Sequence, residues 1–293
     1  MSCATTSHSG PTSHSSLRLR IEQAKQDFTL PDGAMGVIAS GEFDGQSNDQ
    51  LVEWLAADAE LCQRLLRWCN TPLYNLARPF TSLEEACRVM EARDLARLAV
   101  LACVRGHFLP DVGIDQYGRE ALWNHSIAVG AVASMISRTS GCGDPSSVFV
   151  AGTLHDIGLC ASERLAPESF AAVIALVDEL SPINEVEREL LGWDHTELGE
   201  AVLNQWGLPE SMAMVARYHH EAEQALSGPH GAAVACVSVA NYLCSRAGWT
   251  AAGRHYLPPP SQREFAYLGI DAALLTVLWQ QLCVALKSVA DFR

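Results

Sequence analysis

The chain has 293 residues, of which 18% are charged and 48% are apolar, a composition typical of a globular protein with a large interior. Its formal net charge of −14 disfavours nucleic acids and anionic membranes as sequence-independent partners, because both are negatively charged. The apolar run at 231–243 is shorter than the roughly 20 residues that span a bilayer.

The ten cysteines are spread along the chain and form no Cys-x-x-Cys pair. This distribution favours a reducing cytoplasm over a disulfide framework. Residues 1–16 are rich in Ser, Thr and His and contain no apolar segment, so we expect a disordered tail rather than a signal peptide or a membrane anchor. We therefore predict a soluble, cytoplasmic protein.

Helical periodicity dominates residues 17–115, which we predict to form an N-terminal helical subdomain. Ser82 and Glu85 have the spacing of a capping box at a helix start, and no alternating apolar pattern indicates a sheet. The Leu30-Pro31-Asp32-Gly33 sequence predicts a turn. The predicted helices cover 17–28, two short segments within 51–69 that meet near Asp58, a segment from Ser82, and Ala92 to about Val104; a polar connection covers 41–48.

Residues 116–250 are predicted to form a second helical subdomain, followed by a C-terminal loop and helix at 251–293. Asp144 and Pro145 have the pattern of an N-cap and a first helical residue, and Gly158 predicts a stop. The predicted helices cover 121–136, 144–156, 167–180, 195–205, 209–226, 231–246 and 271–289.

His155 and Asp156 follow the apolar run Val148–Leu154, so both are predicted at the end of a buried helix. An imidazole and a carboxylate are costly to bury unless they are hydrogen-bonded or bind a metal. For the dipeptide alone, a histidine paired with its neighbouring aspartate in an ordinary core is the favoured explanation.

Three further histidines, His125, His195 and His219, fall on inward or terminal helix positions, and His220 follows directly after His219. If the helices that carry His125 and His155 pair antiparallel, these two side chains lie at similar heights. Imidazoles with one carboxylate suit Fe, Mn, Zn or Ni better than Ca or Mg, and a bridging aspartate can hold two ions. Taken singly, each histidine is also explained as a hydrogen-bonded core residue.

Several motifs occur in order along the chain. They are Leu30-Pro31, Ala57-Asp58-Ala59-Glu60-Leu61, Cys69-Asn70-Thr71-Pro72, Thr81-Ser82-Leu83, Leu122-Trp123-Asn124-His125, His155-Asp156-Ile157-Gly158, Asp194-His195-Thr196-Glu197, Trp206-Gly207-Leu208-Pro209 and His219-His220-Glu221. With these motifs the chain resembles, over nearly its whole length, the HDOD proteins, which are HD-related output domains of bacterial signalling.

The resemblance implies an all-α, multi-helix fold in which the N-terminal subdomain packs on an HD-like subdomain. The wider HD superfamily contains metal-dependent phosphohydrolases, and its HD-GYP branch hydrolyses cyclic dinucleotides. The resemblance also implies a metal-ligand set, because six positions match the HD-GYP ligands. These are His125, His155, Asp156, His195, His219 and His220.

Three departures from the hydrolases are visible. Leu159 stands where those enzymes usually have a phosphate-contacting lysine, so a cation that would stabilise an anionic transition state is missing. Asn241 replaces the last aspartate ligand and is a seventh, weaker candidate. Residues 222–224 replace the Gly-Tyr-Pro signature.

Two functions follow from these observations. The first is a non-catalytic signalling output module that binds a partner protein in trans or a small ligand such as a nucleotide, with one or two divalent Fe, Mn, Ni or Zn ions in a degenerate site. The second is a metal-dependent phosphohydrolase acting on a nucleotide or a cyclic dinucleotide. The sequence leaves the oligomeric state open.

Overall fold

The structure is a computed structural model that describes residues 19, 21–23, 26, 28–39, 55, 58–71, 74, 76–109, 113–250, 252–253 and 256–287. The predicted tail at 1–16 and the predicted connection at 41–48 lie outside the described residues. The predicted helix at 17–28 is described only in part.

The described chain is almost entirely helical, which confirms the all-α prediction. One hairpin, made of β1 (Gly113–Ile114) and β2 (Tyr117–Gly118), interrupts the helices. The helices are α1 (Asp32–Ala39), α2 (Ala59–Cys69), α3 (Leu83–Val89), α4 (Ala92–Val104), α5 (Arg119–Ser140), α6 (Pro145–Leu154), α7 (Ile157–Leu165), α8 (Pro167–Leu176), α9 (Ile183–Leu191), α10 (His195–Gln205), α11 (Glu210–Tyr218), α12 (Gly231–Arg246), α13 (Gln262–Tyr267) and α14 (Ala272–Lys287).

Capping residues begin several helices where the sequence predicted them. The Asp58 side chain accepts the first backbone N–H groups of α2, and Asp144 does the same for α6, with Pro145 at its first turn. Ser82 caps α3, but the Glu85 carboxylate accepts from the backbone N–H of Thr81, at 2.9 Å, and so the predicted capping box is only half formed.

Two N-terminal predictions are wrong. The segment predicted as a turn contains the start of α1, whose first turn is closed by a hydrogen bond from Met35 N to Pro31 O of 3.1 Å. The hairpin was also not predicted, because its two-residue strands are too short to show an alternating pattern. Asp115 in its turn has φ 51°, a conformation that Asp tolerates better than most residues.

Helices α5 and α6 approach each other at two glycines. A Cβ on Gly152 would lie 2.8 Å from Gly130 Cα, and a Cβ on Gly130 would lie 2.5 Å from Phe149 O. Neither position can hold a side chain without separating the helices. The close antiparallel pair brings the N-terminal part of α5 beside the C-terminal end of α6, as the predicted pairing of His125 and His155 requires.

Gly158 does not end a helix. It lies inside α7, and the break comes earlier, at the two residues between α6 and α7. The glycine is needed for packing, since a Cβ there would lie 1.9 Å from the carbonyl oxygen of His195, in the first turn of α10. A glycine in this position therefore marks a close helix contact rather than a stop.

The larger remaining boundary errors lie at helix C-termini, including that of α5, which ends at Ser140 rather than at residue 136. Helix α8 ends at Leu176 rather than at residue 180, because Val177 has extended backbone angles. Helix α11 ends at Tyr218 rather than at residue 226, and Glu221 has non-helical φ and ψ. Helices α7, α9 and α13 were not predicted.

One continuous hydrophobic core runs from Phe28 to Leu286. Trp68 of α2 stacks on Trp123 of α5 with ring centroids 5.9 Å apart, so both halves of the chain contribute to it. At the edge, Arg97 of α4 pairs with the α6 cap, Asp144, at 2.8 Å. Among the described residues, no helix combines the length and the apolarity needed to cross a membrane.

We predict that Gly158→Ala destabilises the fold by about 3 kcal/mol, since the added methyl group meets main-chain atoms that cannot move independently. Urea unfolding measures the change in the free energy of unfolding.

Gly36→Ala is the matched control, because Gly36 lies in α1 and a Cβ added there would meet no neighbouring atom within 4 Å. That variant should be neutral or gain up to about 1 kcal/mol of helix propensity. Equal stability of the two variants would contradict the close contact between α7 and α10.

Candidate metal centre

The centre forms where α6 and α7 meet. His155 still has helical angles as the C-cap of α6, Asp156 has φ −102° and ψ 15°, and α7 starts at Ile157. The two residues are 0% and 5% exposed. A carboxylate in such a position needs hydrogen bonds or a cation, since its burial is otherwise costly.

Four imidazoles converge on the Asp156 carboxylate. His155 Nε2 lies 3.2 Å and His125 Nε2 3.5 Å from Oδ2. His219 Nε2 lies 3.3 Å and His195 Nε2 3.5 Å from Oδ1. The structure thus brings together predicted ligands from α5, the α6–α7 junction, the start of α10 and the end of α11.

The last two candidates lie beside this group. His220 Nε2 is 3.2 Å from His195 Nε2. Asn241, on α12, lines the same cavity as His125, Asp156 and His220. Because α11 ends at Tyr218, His219 and His220 are in a turn, where both adjacent side chains can face one site.

Main-chain acceptors orient three of the rings. A nitrogen that donates to a carbonyl leaves the other ring nitrogen as the acceptor that can bind a metal. The contacts are His125 Nδ1 to Trp249 O (2.8 Å), His155 Nδ1 to Gly152 O (2.7 Å) and His219 Nδ1 to Ala216 O (2.9 Å).

A carboxylate orients the fourth ring. Glu187 of α9 is 0% exposed, and its Oε2 lies 2.5 Å from His195 Nδ1 and 2.9 Å from the His195 backbone nitrogen. Burial alone would lower the pKa of His195, but Glu187, with help from Asp156, raises it to about 9. Carboxylate-supported histidines are a recurrent feature of metal sites.

Three buried atoms that face the centre have no hydrogen-bond partner among the described residues: His155 Nε2, Asp156 Oδ1 and His219 Nε2. Burial lowers the pKa of His155 to about 4. Burial opposes ionisation of Asp156, yet the neighbouring histidines hold its pKa well below the usual range. Both groups therefore have the protonation states of metal ligands at neutral pH, and the donor set fits a divalent transition metal.

Asp156 belongs to two overlapping ligand groups. One contains His125 and His155, and the other contains His195, His219 and His220, with the ligand atoms of each group within 4.8 Å of one another. A carboxylate that is shared between two such groups is the arrangement in which an aspartate bridges two ions. The geometry accommodates one ion or two.

The cavity beside the cluster is small. The space open to a water-sized sphere is about 10 Å³, roughly the room that one water molecule needs. Besides its polar residues, the wall contains Leu159, Ile183 and Ala252, and Leu159 is 2% exposed. None of the described residues that line it is Lys or Arg.

Four groups that orient the rings were not found from the sequence. Three of them are the main-chain carbonyls of Gly152, Ala216 and Trp249, and a main-chain acceptor has no sequence signature. Glu187 had one: it stands four residues from Ile183 and from Leu191, on the inward stripe of α9, where a carboxylate is out of place. Because α9 was not predicted, that signal was not available.

Comparisons with known proteins give the family. The sequence signature of the HDOD domain matches residues 28–222. The chain belongs to the HDOD family. A crystal structure of an HDOD domain protein of unknown function from Geobacter sulfurreducens has a TM-score of 0.76 and 25% identity, covering 94% of this chain and 99% of that one.

Two further matches are more distant. A candidate phosphohydrolase from Shewanella amazonensis SB2B has a TM-score of 0.71 at 19% identity, covering 95% of this chain and 98% of that one, which supports the fold alone. An uncharacterised protein of Treponema pallidum (strain Nichols) is 24% identical over 195 residues, which are 65% of this chain and 37% of that relative.

We predict that Glu187→Gln weakens metal binding about 10- to 100-fold, the usual effect of losing an outer-shell partner. The loss should be largest above pH 9 and smaller near pH 7. At neutral pH the parent His195 holds a proton that a metal must displace, since its pKa is raised to about 9, whereas the variant should hold that proton less tightly. Chelator competition with Mn²⁺ between pH 7 and 9.5 measures both effects.

The matched control is Glu189→Gln, which removes an exposed carboxylate from the same helix. Its affinity should equal that of the parent protein at every pH. A Glu187→Gln variant with unchanged affinity and pH profile would show that this carboxylate has no part in metal binding.

Proposed function

We propose that this HDOD protein is a non-catalytic signalling output module. Its His/Asp cluster holds one or two divalent ions that stabilise the domain, and the protein acts by binding a signalling partner in trans or a small ligand. The observation that carries the proposal is the wall of the metal cavity, which is apolar at Leu159 and, among the described residues, leaves only about 10 Å³ of space.

A cavity with such a wall is poorly suited to the hydrolysis of a phosphodiester. The substrate is far larger than the one water molecule that the cavity accommodates. The transition state gains negative charge on its phosphoryl oxygens, which hydrolases stabilise with cations or aimed N–H donors. Leu159, at the position of the expected lysine, offers neither, and the described lining contains no Lys or Arg.

The seventh candidate ligand, Asn241, also favours a non-catalytic site. Asn241 lines the cavity with an amide oxygen that carries no formal charge, and so it binds a hard divalent ion less strongly than an aspartate would. The imidazole-rich set that remains favours Fe, Mn, Ni or Zn. Such a site can hold an ion without turning over a substrate.

An ion in this site would connect distant elements. Its ligands come from α5, the α6–α7 junction, α10 and the turn after α11. Binding free energy at a site that exists only in the folded chain adds to folding stability. At a free metal concentration 100-fold above the Kd, the gain is about 2.7 kcal/mol.

A signalling partner would bind a protein with a strongly negative net charge. The net charge of −14 argues against nucleic acids and anionic membranes as partners. The ten cysteines without a Cys-x-x-Cys pair support a location in a reducing cytoplasm. Both statements form part of the proposal.

The second candidate function is metal-dependent phosphohydrolysis of a nucleotide or a cyclic dinucleotide. It is favoured by the two ligand groups that share Asp156, since a pair of ions can activate a water and stabilise an in-line displacement. A similar structure from Shewanella amazonensis SB2B is described as a candidate phosphohydrolase.

We predict that the purified, tag-free protein contains one or two equivalents of Fe, Mn, Ni or Zn, and that His155→Ala loses at least one of them. Removal of the ion by a chelator should lower the melting temperature of the parent protein and have little effect on the variant. Elemental analysis and thermal melts measure these outcomes. His230→Ala, which removes a histidine outside the cluster, should keep its metal.

Turnover assays separate the two candidate functions. We expect the metal-loaded parent protein to leave bis(p-nitrophenyl) phosphate and cyclic dinucleotides intact. Metal-dependent hydrolysis that disappears in Asp156→Ala but persists in His230→Ala would overturn the non-catalytic proposal. A parent protein without bound metal would instead leave the histidines as hydrogen-bonded core residues.

We further predict that Asn241→Asp raises metal affinity about tenfold, because a charged ligand replaces a neutral one at the edge of the cluster. Chelator competition at fixed pH measures the change, and Asn204→Asp, on the exposed side of α10, adds the same charge away from the site. Equal affinities in both variants would place residue 241 outside the coordination sphere.

A further inference from the structure

A second pocket lies between α12, α13 and α14, and the metal cluster contributes no residue to it. Its volume is about 370 Å³, within the range of small-molecule sites. Its lining includes Tyr242 and Arg246 of α12, Phe265 of α13, and Leu275, Thr276 and Trp279 of α14.

The walls of this pocket are largely apolar and aromatic. Trp279 remains 45% exposed and its neighbour Val277 41% exposed, although large apolar side chains of this kind are usually buried. Leu278 and Leu282, on the inward side of α14, are 0% and 1% exposed. Helix α14 therefore has a second apolar face, which the described chain does not cover.

The polar groups of the pocket narrow the chemistry of the ligand. The Thr276 hydroxyl donates to Ala272 O at 2.8 Å, so its proton is already used. Arg246 is the one charged residue in the lining. It is exposed, and no ion pair or hydrogen bond of its guanidinium is found within the described part of the chain. A guanidinium binds carboxylates and phosphates well.

We propose that this pocket binds an amphipathic monoanion, an aliphatic carboxylate whose chain lies among the aromatic walls and whose head group pairs with Arg246. A nucleotide fits less well, because the base edge and sugar hydroxyls would enter a pocket with few free hydrogen-bonding groups, and unpaired polar groups are costly to bury. Arg246 favours an anionic head group, and the apolar walls favour an aliphatic chain.

The pocket shares an element with the metal centre. Tyr242 in the pocket wall follows directly after Asn241 in the metal cavity. Arg246 ends α12, and three residues later the Trp249 carbonyl holds the His125 ring. The pocket would be the binding site for the small ligand of the proposed module, and only in this respect does the proposal rest on that function. Binding to the pocket requires neither a metal nor turnover.

The test is calorimetric titration of the full chain with dodecanoate, below its micelle concentration, with and without a chelator. Dodecyltrimethylammonium is the control for charge. We expect dodecanoate to bind with and without metal, at least about tenfold more tightly than the cation. Arg246→Gln should weaken dodecanoate binding about tenfold, the loss expected for one charge-assisted contact.

Two variants complete the design. Thr276→Trp, at an exposed position of α14, should fill the pocket and abolish binding while the protein keeps its helical circular dichroism. Arg263→Gln removes a cation from α13 outside the pocket, where Arg263 pairs with Glu223, and should bind like the parent protein.

The proposal is overturned if the parent protein does not bind dodecanoate, or if anion and cation bind equally and Arg246→Gln has no effect. Self-association in sedimentation experiments that Thr276→Trp abolishes, without dodecanoate binding, would assign this face to a second copy of the chain. Metal content and phosphodiesterase assays are read separately, so failure of this proposal leaves the proposed function standing.

Discussion

The structure depends on one buried carboxylate and the imidazoles around it. Asp156 is 5% exposed and has four histidine Nε2 atoms within 3.5 Å. An isolated carboxylate in this environment would be protonated or the chain would refold around it. Because the histidines come from separate helices, this one side chain is in contact with each of those helices.

Close helix contacts make this convergence possible. The glycine pair of α5 and α6 sets the spacing that places His125 beside His155, and Gly158 lets α7 approach the first turn of α10, where His195 lies. The carbonyls of Gly152 and Ala216 and the carboxylate of Glu187 then fix the rings. The fold thus orients four rings toward one carboxylate before any ion binds.

Much of this could be predicted from sequence, for identifiable physical reasons. The position of α4 follows from its apolar periodicity and that of α12 from a continuous apolar run, both with clear boundaries. Helical spacing and the family resemblance both identify the six candidate ligands that the fold brings together. The errors came where tertiary contacts override local signals. Gly158 was interpreted as a stop because the sequence does not show the neighbouring helix that requires a glycine.

The ends of some helices and the groups that orient the rings were also not predicted. Helix α11 ends before His219 because of the backbone geometry of the turn that follows, for which the local sequence has no strong breaker. Glu187 lies on a helix that was not predicted, and the contribution of Trp249 is a main-chain oxygen. The residues of the His/Asp cluster can therefore be identified from the sequence, whereas the groups that orient their rings require the tertiary structure.

The spread of the ligands along the chain has a kinetic consequence. His125 and His220 are far apart along the chain, and the ring of His125 is held by a carbonyl still further along, at Trp249. Contacts between such distant residues are slow to form, because a long loop must first be closed. An ion held by all of them would bind only once they are in place, so it should slow unfolding and leave the folding rate nearly unchanged. The metal would then lower the unfolding rate of the complete domain, and so determine the lifetime of the folded state.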